Sequence, residues 1–146
     1  MKDDCRLWLE SYRELRVEAD RLWRRHIRLA NQATRTTTQL SPVPGGGGGD
    51  RGQILAMLAD SDREAVAKHA EALECMKDIE DFIERLPTRE SRIILRLRYV
   101  ELLRWPQVKR ALERSHVFYE ERQIYRLHGI ALREARELWN ERKGHG

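Results

Sequence analysis

The sequence predicts an all-α protein, with a long, coiled-coil-like antiparallel helical hairpin over residues 1–86 and a helix-turn-helix over residues 87–146. Three observations carry this expectation. Apolar residues from Trp8 onward recur alternately four and three positions apart. A run of five glycines separates two long amphipathic stretches. An arginine-dense segment, LPTRESRIILRLRYVELLRW, runs into ERQIYRLHGIALREAREL, which is basic on one face and apolar on the other. Composition agrees: 40% hydrophobic and 36% charged residues, with 7% aromatic, suit a folded helical chain rather than a disordered one. At 146 residues a modest core can be buried.

The first helix is expected from about Asp3 to Ala33. Trp8, Tyr12, Leu15, Ala19, Leu22, His26, Leu29 and Ala33 form a heptad seam, and a repeat of 3.5 residues per turn lets one helix wrap another with a left-handed twist. Arg13, Glu14, Arg24 and Arg25 fall off the seam. His26 reads as a partly buried polar residue that sets register, because no second ligand sits one turn away.

The segment TRTTTQLSPVPGGGGGDRG then stops the helix through β-branched threonines, prolines and glycines, giving a loop over residues 41–52. A phosphate-cradling loop would need a preceding strand and a lysine with a hydroxyl, which are missing from this pattern. Gly45 to Gly49 are expected to be poorly ordered. A second helix follows from about Gln53 to Leu86, with Leu73, Met76, Ile79, Ile83 and Leu86 as its apolar stripe. Methionine in such a stripe is core filler. The two amphipathic helices can bury their stripes against each other. Pro87 ends the second helix, and Thr88 is positioned to cap the next.

Three shorter helices are expected after that, over Thr88 to Tyr99, Trp105 to Leu112 and Glu120 to Trp139. In the last, Ile124, Leu127, Ala131, Leu132 and Ala135 face inward, while Glu121, Arg122, Gln123, Tyr125, Arg126 and Gly129 face outward. Arg122 and Arg126 lie one turn apart, so both can enter a major groove, where arginine pairs with guanine and glutamine with adenine. Gly129 lowers helix propensity but lets the backbone approach a neighbour or DNA closely. Tyr125 either touches a thymine methyl or covers a neighbouring helix. Trp105 reads as a core anchor rather than a stacking platform. Arg133, Arg136 and Arg142 either contact phosphates or complement the helix dipole.

The segment LPTRESRIILRLRYVELLRW followed by QIYRLHGIALREA resembles region four of bacterial sigma factors, which reads the upstream promoter element. YRLHGIAL, the preceding WPQV and the helical N-terminal half with its ATRTTTQLSPVPGGGG loop resemble phage-encoded sigma-like regulators of the RinA and ArpU late-gene activator type. The resemblance covers nearly the whole chain. It implies that Trp105, Val108, Leu112, Ile124 and Leu127 form the helix-turn-helix core, that Glu121, Arg122, Gln123 and Arg126 meet base edges, and that Arg96 and Arg98 approach the phosphate backbone. Two features depart from the family pattern. Pro106 replaces the usual acidic residue, which is benign in a first helical turn, and ERSHVFYEE makes a longer turn than the family uses.

The charge is segregated. Residues 87–146 hold 14 basic and 8 acidic residues, whereas residues 51–86 hold 5 and 9. Most of the basic excess is arginine, whose planar guanidinium suits phosphate oxygens and guanine edges, while an acidic middle helix is repelled by DNA. Read without a partner, each charge run is a solvated helix face. Cys5 and Cys75 have no His or Cys at ligand spacing, so neither zinc nor a disulfide is indicated. His116 and His128 lack a paired carboxylate or nucleophile, and an enzyme is the poorest expectation. No apolar run approaches a bilayer span, and MKDDCRLWLE lacks the plan of a signal peptide.

The expectation is therefore a non-enzymatic transcription regulator of phage or prophage origin, cytoplasmic and nucleoid-associated, without a cofactor, metal site or membrane contact. Its expected partners are promoter or operator DNA, host RNA polymerase and a second copy of the chain. Its DNA-contacting set is Arg96, Arg98, Glu121, Arg122, Gln123, Tyr125, Arg126 and Arg133. The competing expectation is a helical interaction module that binds a protein partner or dimerises without reading DNA.

Overall fold

A computed structural model describes residues 3–39 and 48–144. Among these residues the protein is all-helical: α1 (Asp4–Gln39), α2 (Gly48–Ile83), α3 (Arg89–Leu95), a π-helical turn (Arg96–Val100), α4 (Trp105–Arg114) and α5 (Glu121–Gly144). The helix α1 continues past the expected end at Ala33, and α2 starts before Gln53. Gly45 to Gly47 lie outside the described residues, so most of the expected loop does too. None of the described helices is long and apolar enough to cross a membrane. Packing divides the chain into two units, Glu14–Leu73 on one hand and Met1–Arg13 with Glu74–Gly146 on the other.

In the unit 14–73, the seam of α1 is turned inward. Ala19 is buried, and Leu15, Leu22, His26, Leu29 and Ala33 are half-buried. The matching positions of α2 are Ile54, Leu58, Ser61, Ala65, Lys68 and Ala72, which also alternate by four and three residues. Numbers rise in one helix as they fall in the other. His26 Nδ1 lies 2.7 Å from Ser61 Oγ, Arg25 pairs with Glu64 at 3.9 Å, and Leu29 and Ala33 line a recess with Ile54 and Leu58. The Ser61 hydroxyl donates to the Leu58 carbonyl at 3.0 Å, so it accepts its hydrogen bond from His26. The stripe expected on α2 needs one correction. Leu73 is 58% exposed, and its neighbour Ala72 occupies the buried register.

In the other unit, the C-terminal end of α2 supplies buried Ile79, Phe82 and Ile83, the turn after it supplies Leu86, and the start of α1 supplies Cys5, Leu9 and Tyr12. Trp8 packs edge-on against Phe82 (5.1 Å between centroids) and tilted against Trp139 (5.2 Å). The expected boundary between Leu86 and Pro87 thus falls inside this unit. A second cluster, buried Ile94, Val108, Leu112 and Ile124 with Trp105, Val117 and Leu127 around it, joins α3, α4 and α5.

The expected single helix from Thr88 to Tyr99 breaks into two forms. Regular winding from buried Ile94 would bring Arg98 onto the inner face four residues later. The wider π turn instead buries Tyr99 and Val100 and leaves Arg98 half-exposed. Thr88 occupies the cap position of α3 without capping it; its hydroxyl and that of Ser91 donate to the Glu134 carboxylate on α5.

Candidate nucleic-acid interface

The turn before α5 fixes how that helix is presented. After α4 the backbone enters the left-handed region at His116 (φ 62°), the His116 N–H donates to the Glu113 carbonyl, and the Val117 N–H donates to the Leu112 carbonyl, both at 2.9 Å. This is a Schellman closure, completed by apolar contact between Val117 and Leu112 in the same core cluster. The longer turn foreseen in the sequence is therefore ordered by α4's own carbonyls. The helices α4 and α5 also start alike: Gln107 Oε1 accepts the Arg104 N–H at 2.9 Å, and Gln123 Oε1 accepts the Glu120 N–H at 3.0 Å.

The inner face of α5 holds Ile124, His128, Ala131, Leu132 and Ala135 buried, with Leu127 half-buried. His128 lies outside the core set expected from the sequence. Its Nε2 lies 2.9 Å from Tyr99 Oη, and its ring packs against the Trp105 ring at 4.7 Å. Burial first, and then the charges of Arg6 and Arg98, push the His128 pKa down to about 4, while burial raises that of Tyr99. A neutral imidazole thus backs the helix.

The outer face carries Glu121, Arg122, Gln123, Tyr125, Arg126, Gly129 and Arg133, all exposed. Arg122, Arg126, Gly129 and Arg133 follow one another by four, three and four residues, so they share a stripe about 16 Å long. Among the described residues, the three arginines make no ion pair or hydrogen bond. A Cβ built on Gly129 meets nothing within 4 Å, so neither packing nor backbone angle requires glycine there. Tyr125 packs edge-on against Trp105 at 5.3 Å, and half of it stays exposed. The Gln123 side chain is exposed, and its carbonyl oxygen is engaged in the helix cap.

The two arginines of the π turn are engaged within the protein. Arg96 pairs with Glu84. Arg98 donates from Nη1 to the Leu103 carbonyl at 2.9 Å and lies over the Trp105 ring at 4.8 Å. Leu102 between them has φ 58°, so Arg98 clamps a strained corner. Arg136 and Arg142 are also partnered, by Asp3 at 2.9 Å and by the Trp8 ring at 5.9 Å. Arg110 and Arg114, an exposed pair one turn apart on α4, lie outside the set expected from the sequence. Their spacing against the buried Val108 and Leu112 was the available signal. Among the described residues, no group of three His, Cys, Asp or Glu side chains could hold a metal ion. Comparison with family models, characterised proteins and solved structures yields no match.

Proposed function

We propose that this protein is a sequence-specific DNA-binding transcription regulator. In this reading residues 1–86 supply an antiparallel helical hairpin, residues 87–146 a helix-turn-helix similar to sigma region four, and α5 the recognition helix. The observation that carries the reading is the α5 stripe: three exposed, unpartnered arginines flank a glycine that nothing in the fold requires. A major groove about 12 Å wide accepts one α-helix, and arginine reads guanine there through two hydrogen bonds. Arg122 and Arg126 are assigned to base edges and Arg133 to a phosphate, with Arg110 and Arg114 as further phosphate contacts from α4. Arg98 acts as a positioning residue through Trp105, and Arg96 is left to its ion pair. Promoter action with host RNA polymerase, and a phage or prophage origin, belong to the same proposal through the resemblance in sequence.

The test is selection of a binding site from random duplexes, followed by affinity measurement on the selected and a scrambled duplex. If about five to seven phosphates are neutralised, log affinity falls with log salt at a slope of roughly −4 to −6. Arg126→Ala should cost about 1–3 kcal/mol on the selected duplex and little on the scrambled one, whereas Arg133→Ala should weaken both alike. Failure to enrich any sequence, together with salt-insensitive binding, would refute the reading.

A further inference from the structure

In the unit 14–73, seven large apolar side chains among the described residues are between 42% and 65% exposed, and five of them, Trp23, Ile27, Leu55, Val66 and Leu73, share one flank, which Val17 and Met57 do not. On α2, Leu55, Ala59, Asp62, Val66, His69 and Leu73 are spaced alternately by four and three residues, a second heptad seam about a quarter-turn from the buried one. Trp23 and Ile27 lie one turn apart on α1 and flank its buried seam. Contacts place both sets on the same flank of the helix pair. The Trp23 ring packs on His26 at 5.5 Å, and His26 Nε2 lies 3.9 Å from Asp62 Oδ1, in the middle of the α2 seam. The Arg25–Glu64 pair marks the other flank.

We infer that this flank is the dimerisation surface of the protein and that its occupant is a second copy of the same unit. Charge supplies the first argument. Residues 14–39 hold 6 basic and 3 acidic residues, and residues 48–73 hold 3 and 5. With a two-fold axis parallel to the helices, each α1 segment lies between its own α2 segment and that of the partner copy. Every adjacent pair in the resulting four-helix bundle is then antiparallel and of opposite net charge. Trp23 of one copy meets Asp62 and Val66 of the other.

Area supplies the second argument. The stripe from Leu55 to Leu73 is about 27 Å long at 1.5 Å per residue, and two adjacent helices are about 20 Å wide. Each copy would contribute on the order of 500 Å², so together they reach roughly 1,000 Å², the lower limit for a specific interface. The heptad seam running through Trp8 and Ala33 cannot serve this purpose, since it is consumed within the chain.

The experiment is sedimentation of the full chain across a wide concentration range, without DNA, so that its outcome is separate from that of the DNA reading. The expected result is a dimer. Val66→Asp should raise the dimer dissociation constant about 100-fold, because two carboxylates would be desolvated per dimer. Circular dichroism should show unchanged helix content. Val17→Asp, at an exposed apolar position of α1 opposite the buried seam and outside this flank, should leave the dimer intact. A Trp23→Cys, Val66→Cys chain with Cys75→Ser should form a disulfide between copies on oxidation. A monomer at every concentration, or a Val66→Asp chain that remains dimeric, overturns the proposal; so does a dimer that fails to cross-link between positions 23 and 66.

Discussion

The glycine in the arginine stripe gives a test in which stability and binding move in opposite directions. Within a helix, glycine is less favourable than alanine by about 0.8–1 kcal/mol. Nothing opposes the added methyl group at Gly129, since no atom lies within 4 Å of a Cβ there. Gly129→Ala should therefore stabilise the protein by about 1 kcal/mol, which raises the melting temperature by about 2–4 °C for a chain of this size. Gly129→Leu should gain nearly as much, because leucine is also a strong helix former. Binding should show the reverse. If α5 lies in a groove with Arg126 on one side of Gly129 and Arg133 on the other, a leucyl group at their centre holds the helix off the DNA. A loss of about tenfold or more in affinity, on the order of 1.4 kcal/mol, is expected for Gly129→Leu and a smaller one for Gly129→Ala. Thermal melts and fluorescence anisotropy on the selected duplex read the two effects separately. Unchanged affinity for a stabilised Gly129→Leu protein would refute the assignment of this face to DNA.

Other consequences concern the frame behind the stripe. His116→Gly should stabilise the protein by about 1 kcal/mol in urea unfolding, because glycine adopts the left-handed conformation without the cost that other residues bear. Glu134→Ala should destabilise by about 2 kcal/mol, since Thr88 and Ser91 both lose a charged acceptor; a change below half that value would count against the contact. The depressed His128 pKa means that the unfolded chain binds a proton the folded one refuses. This stabilising contribution is complete above pH 6.5 and is lost as pH falls toward 4, by about 1–2 kcal/mol at pH 5. His128→Phe should flatten that dependence, and an unaltered slope between pH 7 and 5 would contradict it.

The helices of this protein were legible because their burial is periodic. Alternating steps of four and three fix the α1 seam, and the same rule picks Ala72 over Leu73 on α2, although leucine is the larger apolar residue. Size misleads where the helix has two apolar faces. The outward set on α5 was equally readable, since each position follows from the buried Ile124 and Ala131 by helical phase. What could not be read depends on groups distant in sequence or on carbonyls freed by an unusual backbone. His128 is a core residue only because Tyr99, 29 positions earlier, supplies its partner. Arg98 is withdrawn from the surface set only because a left-handed Leu102 turns the Leu103 carbonyl toward it. Neither the π turn nor that corner leaves a periodic signature.

The distribution of partners along α5 bears on how the helix would work. Glu134, Arg136 and Arg142 are all spent on other elements, by Thr88 and Ser91, by Asp3 and by Trp8 respectively. Gln123 and the Schellman turn secure the N-terminal end, and the His128–Tyr99 hydrogen bond secures the middle. Charged groups that face the fold are thus satisfied, and those that face away at 122, 126 and 133 are not. A recognition helix gains from this division, because the backbone is fixed before binding and only exposed arginine side chains remain to be ordered. Loosening the frame should then weaken binding without touching the stripe. His128→Ala removes the contact with Tyr99 and the packing on Trp105, yet leaves Arg122, Arg126 and Arg133 intact. Its affinity should fall on the selected duplex more than on a scrambled one, because misplacing α5 harms base geometry more than it harms phosphate attraction. An equal loss on both would mean that the buried pair contributes to folding alone.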